Sequence, residues 1–141
     1  MRFWDTSALV PLLVPGPRTA HLDSLMRDDP AIAIWWGTPV ECVSAIARLE
    51  REGRLSPPAA VVALARLDEA IPYWTEVPPT TKVRDQARRL LRVHPLRAAD
   101  AFQLAAGLVC STFEPKTMGF VSCDAQLTAA ASREGFEVLG S

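Results

Sequence analysis

The sequence predicts an α/β fold, a three-layer α/β/α sandwich with a central parallel β-sheet. Short runs of β-forming residues alternate with longer segments of helical periodicity, and consecutive helices occur twice. This order is typical of βαβ units, which place helices on both faces of a parallel sheet. The length of 141 residues fits one domain spanning 1–141, and no linker, repeat or low-complexity tract interrupts it.

The first segment, Met1 to Trp4, is apolar and predicts a short buried strand. The following "TSALVPLLVPGP" predicts a broken helical turn, with a kink at Pro11 and a break at "PGP". The run "RTAHLDSLMRDD" has helical spacing and ends at Asp29-Pro30.

A second strand is predicted at "AIAIWW" and the clearest helix at "TPVECVSAIARLEREG". Thr38 suits the N-cap of this helix, Pro39 its first position and Gly53 its C-terminal stop. Another helix is predicted at "SPPAAVVALARLDEAI", with Ser56 as its cap. The remaining predicted elements are a strand at "YWTEV", a basic helix at "TTKVRDQARRLLRVH", a buried helix at "LRAADAFQLAAGLVCS", a strand at "GFVSCD", a helix at "AQLTAAASREG" and a strand at "FEVLG".

The composition indicates a globular protein of the reducing cytosol. Hydrophobic residues make up 49% and charged residues 22% of the chain. Three widely spaced cysteines argue against a disulfide framework. No signal peptide and no apolar run of about 20 residues is found, so we expect no membrane span and a cytoplasmic protein. The net charge of −1 means that a polyanion would need a local basic patch or bound cations.

Two aspartates follow predicted strands. Asp5 comes after the first strand and Asp124 after "GFVSC", and ligands of parallel sheets bind at the carboxyl ends of strands. Two more acids stand near helix starts, Glu41 and Asp100. Asp100 lies in an apolar window, where an unpartnered aspartate would be costly to bury.

If these four acids converge, their repulsion calls for a counter-charge. Two unit charges ~5 Å apart repel by about 3 kcal/mol at an effective dielectric of ~20. No Lys or Arg lies within two residues of Asp5, Glu41 or Asp124. A divalent cation is the expected partner, and all-oxygen ligands favour Mg²⁺ or Mn²⁺ over zinc.

The segments "FWDTSAL", "PVECVSAIARL", "LRAADAFQLAA" and "FVSCDAQLTAAASREGF" resemble, in order and spacing, the motifs of PIN-domain ribonucleases. The similarity is greatest to VapC-type toxins of type II toxin–antitoxin systems and spans essentially the whole chain. It implies a PIN domain that hydrolyses phosphodiester bonds of RNA with Mg²⁺ or Mn²⁺. It also implies that Asp5, Glu41, Asp100 and Asp124 are the catalytic and metal-binding acids, and that Thr6 or Ser7 supplies a supporting hydroxyl. The expected RNA is a structured cellular one, tRNA or rRNA, cleaved through metal-activated water. A cognate antitoxin and a homodimer are also expected.

Each acid also has an ordinary structural explanation. Thr38 and Glu41 match a capping box, in which the glutamate bonds the N-cap amide. Asp5 and Asp124 both precede helices and could be plain N-caps, and Asp100 could favour a helix dipole. This explanation is local and predicts no convergence.

The chain's marked basic run gives the candidate RNA contacts. Its alternative interpretation is a solvated helix face. Its members are Lys82, Arg84, Arg88, Arg89, Arg92 and Arg97.

Trp35 and Trp36 should point to opposite sides of a strand, one into the core and one toward a protein partner or a base. His21 and His94 are expected on the surface or in loops, and Cys123 is expected to be a packing residue.

Two other functions remain open at this point. One is a non-catalytic PIN-like module that binds RNA or protein. The other is phosphoryl transfer through a strand-end aspartate, which would want a second acid two residues after Asp5, where the chain has Ser7.

Overall fold

The computed structural model describes all 141 residues and contains a five-stranded sheet in the order β3-β2-β1-β4-β5. All neighbouring strands are parallel. The strands are β1 (Arg2–Trp4), β2 (Ile32–Trp35), β3 (Thr75–Val77), β4 (Gly119–Val121) and β5 (Glu137–Leu139). The helices are α1 (Thr6–Leu13), α2 (Thr19–Asp28), α3 (Thr38–Arg51), α4 (Pro57–Ala70), α5 (Thr81–Val93), α6 (Ala98–Cys110) and α7 (Ala125–Arg133).

The strand order places a topological switch at the centre of the sheet. The chain runs from β1 through β2 to β3 on one side, then returns to β4 and β5 on the other. Trp4 pairs with Val121, so β1 and β4 end side by side. A switch point opens a crevice at the carboxyl edge. The residues that follow β1 and β4, among them Asp5 and Asp124, are therefore neighbours although they are distant in sequence.

Two apolar cores, one on each face of the sheet, confirm the three-layer prediction. One core joins α5, α6 and α7 to Phe3, Trp35 and Phe120, and the other joins α1 to α4 to Trp4 and Ile34. A Cβ added at Gly107 in α6 would lie 3.1 Å from the ring of Phe120. The small residue therefore allows α6 to pack closely against β4. No helix is both long enough and apolar enough to cross a membrane.

One local prediction is wrong. Thr38 is not the N-cap of α3, because the cap is Gly37 and Thr38 is buried within the first turn. α1 continues through Pro11, where a kink was predicted, and ends at Leu13, before the break predicted at "PGP". His94 lies in the loop after α5, one of the two predicted locations, but it is only 6% exposed. Its Nε2 lies 3.1 Å from Oε2 of Glu134, the C-cap of α7. The predicted Ser56 cap is confirmed by a bond from the Ala59 amide.

Candidate active site

The four acids expected to form the site line one cleft at the carboxyl edge of the sheet. Asp5 follows β1, Glu41 lies in the first turn of α3, Asp100 in the first turn of α6, and Asp124 caps α7. The cleft is also lined by both candidate hydroxyl residues, Thr6 and Ser7. The convergence arises because parallel strands and the helix starts that follow them meet at the same edge.

Asp5 is held by hydroxyl groups from both sides of the switch point. Its Oδ2 accepts from the Ser7 amide at 3.2 Å, from the Ser7 hydroxyl, and from the Ser122 hydroxyl at 2.9 Å. The Cys123 amide donates to Ser7 Oγ at 2.8 Å and so ties the α1 start to the end of β4. Burial raises the pKa of Asp5, and the Asp124 charge raises it further, although the serine hydrogen bonds lower it. Asp5 is therefore an N-cap as well as a buried carboxyl at the cleft.

Glu41 does not form a capping box. Its Oε2 instead accepts a 2.7 Å hydrogen bond from Nε2 of Gln103 on α6. Burial raises the pKa of Glu41 to about 7; the Gln103 bond opposes this rise, while the charges of Asp5 and Asp100 add to it. The capping-box explanation for Glu41 is therefore wrong. Its carboxylate binds Gln103 and lies near enough to Asp5 and Asp100 for their charges to raise its pKa.

Asp100 and Asp124 differ in how they are engaged. Asp124 Oδ1 accepts from the Leu127 amide at 2.8 Å, so the N-cap interpretation of this residue is confirmed. Asp100 accepts no hydrogen bond and forms no ion pair. Burial raises the pKa of Asp100, as do the charges of Asp124 and Asp5, against the opposing charge of Arg97.

These contacts leave the four acids without an ion-pair partner. The five salt bridges of the structure involve none of its four acids. The donor set consists of carboxylate and hydroxyl oxygens, which are the ligands that Mg²⁺ and Mn²⁺ prefer. No three His, Cys, Asp or Glu side chains are close enough together to form a ready-made ion site. The chemistry of these residues fits a divalent cation, although their spacing is wider than that of an assembled ion site.

The candidate RNA contacts of the basic run lie mainly on α5. Arg88, Arg89 and Arg92 border a separate surface depression that shares no residue with the acidic cleft. Arg89 also pairs with Glu134, the C-cap of α7. Arg97, the N-cap of α6, is the member whose charge reaches Asp100. An RNA-binding role for this run stays a prediction.

One of the adjacent tryptophans is in the core and the other is exposed, as predicted, although their rings contact each other. Trp35 is buried and stacks on Phe102 of α6 with a centroid distance of 5.3 Å and an interplanar angle of 4°. Trp36 is 55% exposed at the carboxyl edge and meets Trp35 edge to face.

The sequence analysis missed two polar residues that support the acids. Gln103 is fully buried, and its Nε2 lies within hydrogen-bonding distance of Thr6 Oγ1, Thr38 Oγ1 and Glu41 Oε2. Ser122 is fully buried and bonds Asp5. Gln103 could have been found as the polar residue one turn after Asp100 on an apolar helix, since such a group needs a buried partner. Ser122 carried no comparable signal.

The fold is a PIN-like three-layer α/β/α sandwich, and its switch point holds an acidic crevice. No protein-family model and no curated protein sequence matches the chain. Solved structures do match. FitAcB from Neisseria gonorrhoeae is 20% identical, with a TM-score of 0.65 over 99% of this chain and 96% of that one. VapC20 from Mycobacterium tuberculosis, described as a sarcin–ricin loop cleaving toxin, is 23% identical, with a TM-score of 0.65 over 98% of each chain.

A third solved structure, PAE2754 from Pyrobaculum aerophilum, is 25% identical, with a TM-score of 0.62 over 92% of this chain and 78% of that one. At these identities the likeness concerns the fold. The resemblance to VapC-type PIN domains predicted from the four motifs is confirmed at that level.

Proposed function

We propose that this chain is a metal-dependent endoribonuclease and the toxin component of a toxin–antitoxin pair. One observation carries the proposal: four carboxyl groups from four separate segments line one cleft without a basic partner within 4.0 Å. Capping alone would not bring the segments together, and Glu41 and Asp100 cap nothing. The description of VapC20 as an RNA-cleaving toxin supports the choice of substrate.

In this proposal Asp5, Glu41, Asp100 and Asp124 hold Mg²⁺ or Mn²⁺. A bound ion would offset their repulsion, polarise the scissile phosphate and activate water for hydrolysis. Ser7 and Ser122 keep Asp5 oriented toward the cleft by bonding one of its two oxygens. Gln103 does the same for Glu41 from α6. Thr6 Oγ1 accepts a 3.1 Å hydrogen bond from the same Gln103 amide and so links the start of α1 to α6.

The proposed substrate is a structured cellular RNA, tRNA or rRNA, and the proposed site of action is the cytoplasm. A cognate antitoxin would restrain the enzyme, and the chain would act as a homodimer. The open acidic cleft supports control by a partner that places a positive side chain among the carboxylates, since such a group would replace the missing counter-charge.

The test is cleavage of purified total RNA by the parent protein and by Asp100→Asn. Asp100 accepts no hydrogen bond, so the amide should leave the fold intact while removing one negative charge. We expect cleavage with Mg²⁺ or Mn²⁺, none with EDTA, and a loss of about 10² or more in Asp100→Asn. Asp85→Asn, which changes an exposed aspartate of α5, is the matched control. Equal cleavage by the parent and Asp100→Asn would contradict the catalytic assignment.

The second candidate, a non-catalytic PIN-like module that binds RNA or protein, is favoured by one observation. No three potential ligands lie close enough together to hold an ion. This candidate predicts that Mg²⁺ or Mn²⁺ neither stabilises the protein nor produces cleavage, whereas RNA binding survives in Asp100→Asn.

A further inference from the structure

The acidic cleft continues into a groove between α1 and α3. Val10, Pro11, Leu49 and Arg54 line the cleft and also line a second depression that ends at residues 15–18. Because the two depressions share these four residues, they form one continuous channel. We call it the α1–α3 groove; the four carboxylates line its acidic part, Arg54 lies where the two depressions join, and Arg18 lines the second depression.

One stripe of α3 forms a wall of this groove. Glu41, Ser44, Arg48 and Glu52 recur at intervals of three or four residues and all line the cleft. Glu41 and Arg48 are seven residues apart, which is about 10 Å along the helix. The wall thus changes from a carboxylate at the sheet edge to a guanidinium two turns away.

The arginines of the groove have donors free to bind an anion. Arg48 is exposed and forms no ion pair. Arg54 has Glu52 at 3.7 Å, and both are exposed, so that pair is weak. Arg18 donates from Nη1 to the Cys123 carbonyl at 3.1 Å, which leaves the rest of its fork unused and holds it beside the Asp124 segment.

We propose that the α1–α3 groove binds the substrate strand, with Arg48 and Arg54 contacting phosphates that lead to the acids and Arg18 contacting a further phosphate near Asp124. The inference rests on the proposed function and names the surface that delivers RNA to it. Guanidinium groups bind phosphate through paired hydrogen bonds. The distance of about 10 Å spans roughly three nucleotides at the 3.4 Å rise of a stacked strand. The groove therefore matches a short single-stranded segment, such as a loop of a structured RNA.

The experiment measures binding of a short fluorescein-labelled oligouridylate by anisotropy, in the Asp100→Asn background and over a range of salt concentrations. The groove variant is Arg48→Gln with Arg54→Gln. The matched control is Arg51→Gln with Arg133→Gln, which removes the same charge from exposed helical positions outside the groove. A third variant, Arg88→Gln with Arg92→Gln, tests the α5 surface. Arg48→Lys with Arg54→Lys keeps the charge.

Each lost phosphate contact lowers the slope of log K against log salt by about 0.7 for a single strand. We expect the groove variant to lower the slope by about 1.4 and the control to match the parent. The lysine variant keeps both charges and should keep the parent slope, with weaker binding because lysine lacks the paired donors of arginine. An unchanged slope in the groove variant, or a loss confined to the α5 variant, would overturn the inference. So would the absence of measurable binding by the parent.

Cleavage by proteins with an intact Asp100 separates this inference from the proposed function. Normal metal-dependent cleavage by the groove variant would refute the groove and leave the ribonuclease assignment standing. Absence of metal-dependent cleavage by the parent protein would refute the ribonuclease assignment itself.

Discussion

The side-chain amide of Gln103 donates a 2.7 Å hydrogen bond to the Glu41 carboxylate across the interface of α6 and α3. The two residues are separated by 62 positions in the chain. The NH₂ group of Gln103 faces three acceptor oxygens, whereas its buried Oε1 has no hydrogen-bond partner. An amide held in this way positions the carboxylate and reduces the rise of its pKa.

Replacing Gln103 by Leu should weaken cleavage by about tenfold and destabilise the fold by about 1–3 kcal/mol, because Glu41 and Thr38 lose a buried donor. Gln103→Leu should also move the rise of cleavage with pH to higher pH, since the bond lowers the pKa of Glu41. The pH profile of cleavage and chemical denaturation measure these effects. Gln126→Leu, on the exposed side of α7, is the control. A destabilised variant with an unmoved pH profile would limit Gln103 to a packing role.

Ser122→Ala should reduce the apparent affinity for Mg²⁺ or Mn²⁺ severalfold. The hydroxyl donates to Asp5 and accepts from the Asp124 amide, so its removal loosens two acids at once. A stability loss of about 1–2 kcal/mol should accompany the change, because Asp5 is buried. Metal titration followed by thermal shift provides the measurement, with Ser132→Ala on the exposed side of α7 as control. Equal metal responses in Ser122→Ala and the parent would show that the hydroxyl supports the turn alone.

Without metal, the protein should become less stable as pH rises toward neutrality. The folded-state pKa of Glu41, about 7, exceeds its ordinary value of 4.5, and those of Asp5 and Asp100 are also raised. An acid with a raised folded-state pKa binds its proton more tightly in the folded protein than in the unfolded one. Its stabilising effect is complete below the unfolded-state pKa and is lost as pH rises through the folded-state pKa.

A divalent cation should reverse this loss. Mg²⁺ or Mn²⁺ should raise the melting temperature clearly at about pH 8 and little at about pH 5, where protons compete for the carboxylates. Thermal denaturation with and without EDTA measures the difference. Glu41→Gln should flatten the pH dependence of the metal-free protein. A cation effect of the same size at both pH values would argue against binding at these acids.

Glu134→Gln should destabilise the protein by about 1–2 kcal/mol at neutral pH and by less near pH 4. Burial works to raise the pKa of Glu134, but the hydrogen bonds and charges of Arg89 and His94 outweigh it and lower the pKa. A group with a lowered folded-state pKa stabilises the fold at pH values above its unfolded-state pKa. This stabilisation is lost as pH falls through the folded-state pKa. Urea denaturation at the two pH values tests this, with exposed Glu137→Gln as control. Cleavage by the folded variant should be unchanged, since Glu134 does not line the cleft.

Local patterning determined the order and type of the elements. β1 through β5 and α2 through α7 lie where periodicity, capping residues and glycine stops predicted them, because each signal depends on residues close in sequence. The strand-end position of Asp5 and Asp124 likewise follows from local order and the geometry of parallel sheets. Thr38 was misassigned because a threonine before a proline fits an N-cap locally. In the structure its hydroxyl oxygen accepts a hydrogen bond from Gln103 on α6.

The sequence alone therefore established the α/β order, the strand-end acids and the motif resemblance, since all three are written in neighbouring residues. Only the tertiary structure decided that Glu41 pairs with Gln103, that Ser122 supports Asp5, that His94 is buried against Glu134, and that Arg48 and Arg54 share a groove with the acids. Those contacts join segments tens of residues apart. They depend on how helices pack on the sheet, and no local propensity specifies that packing.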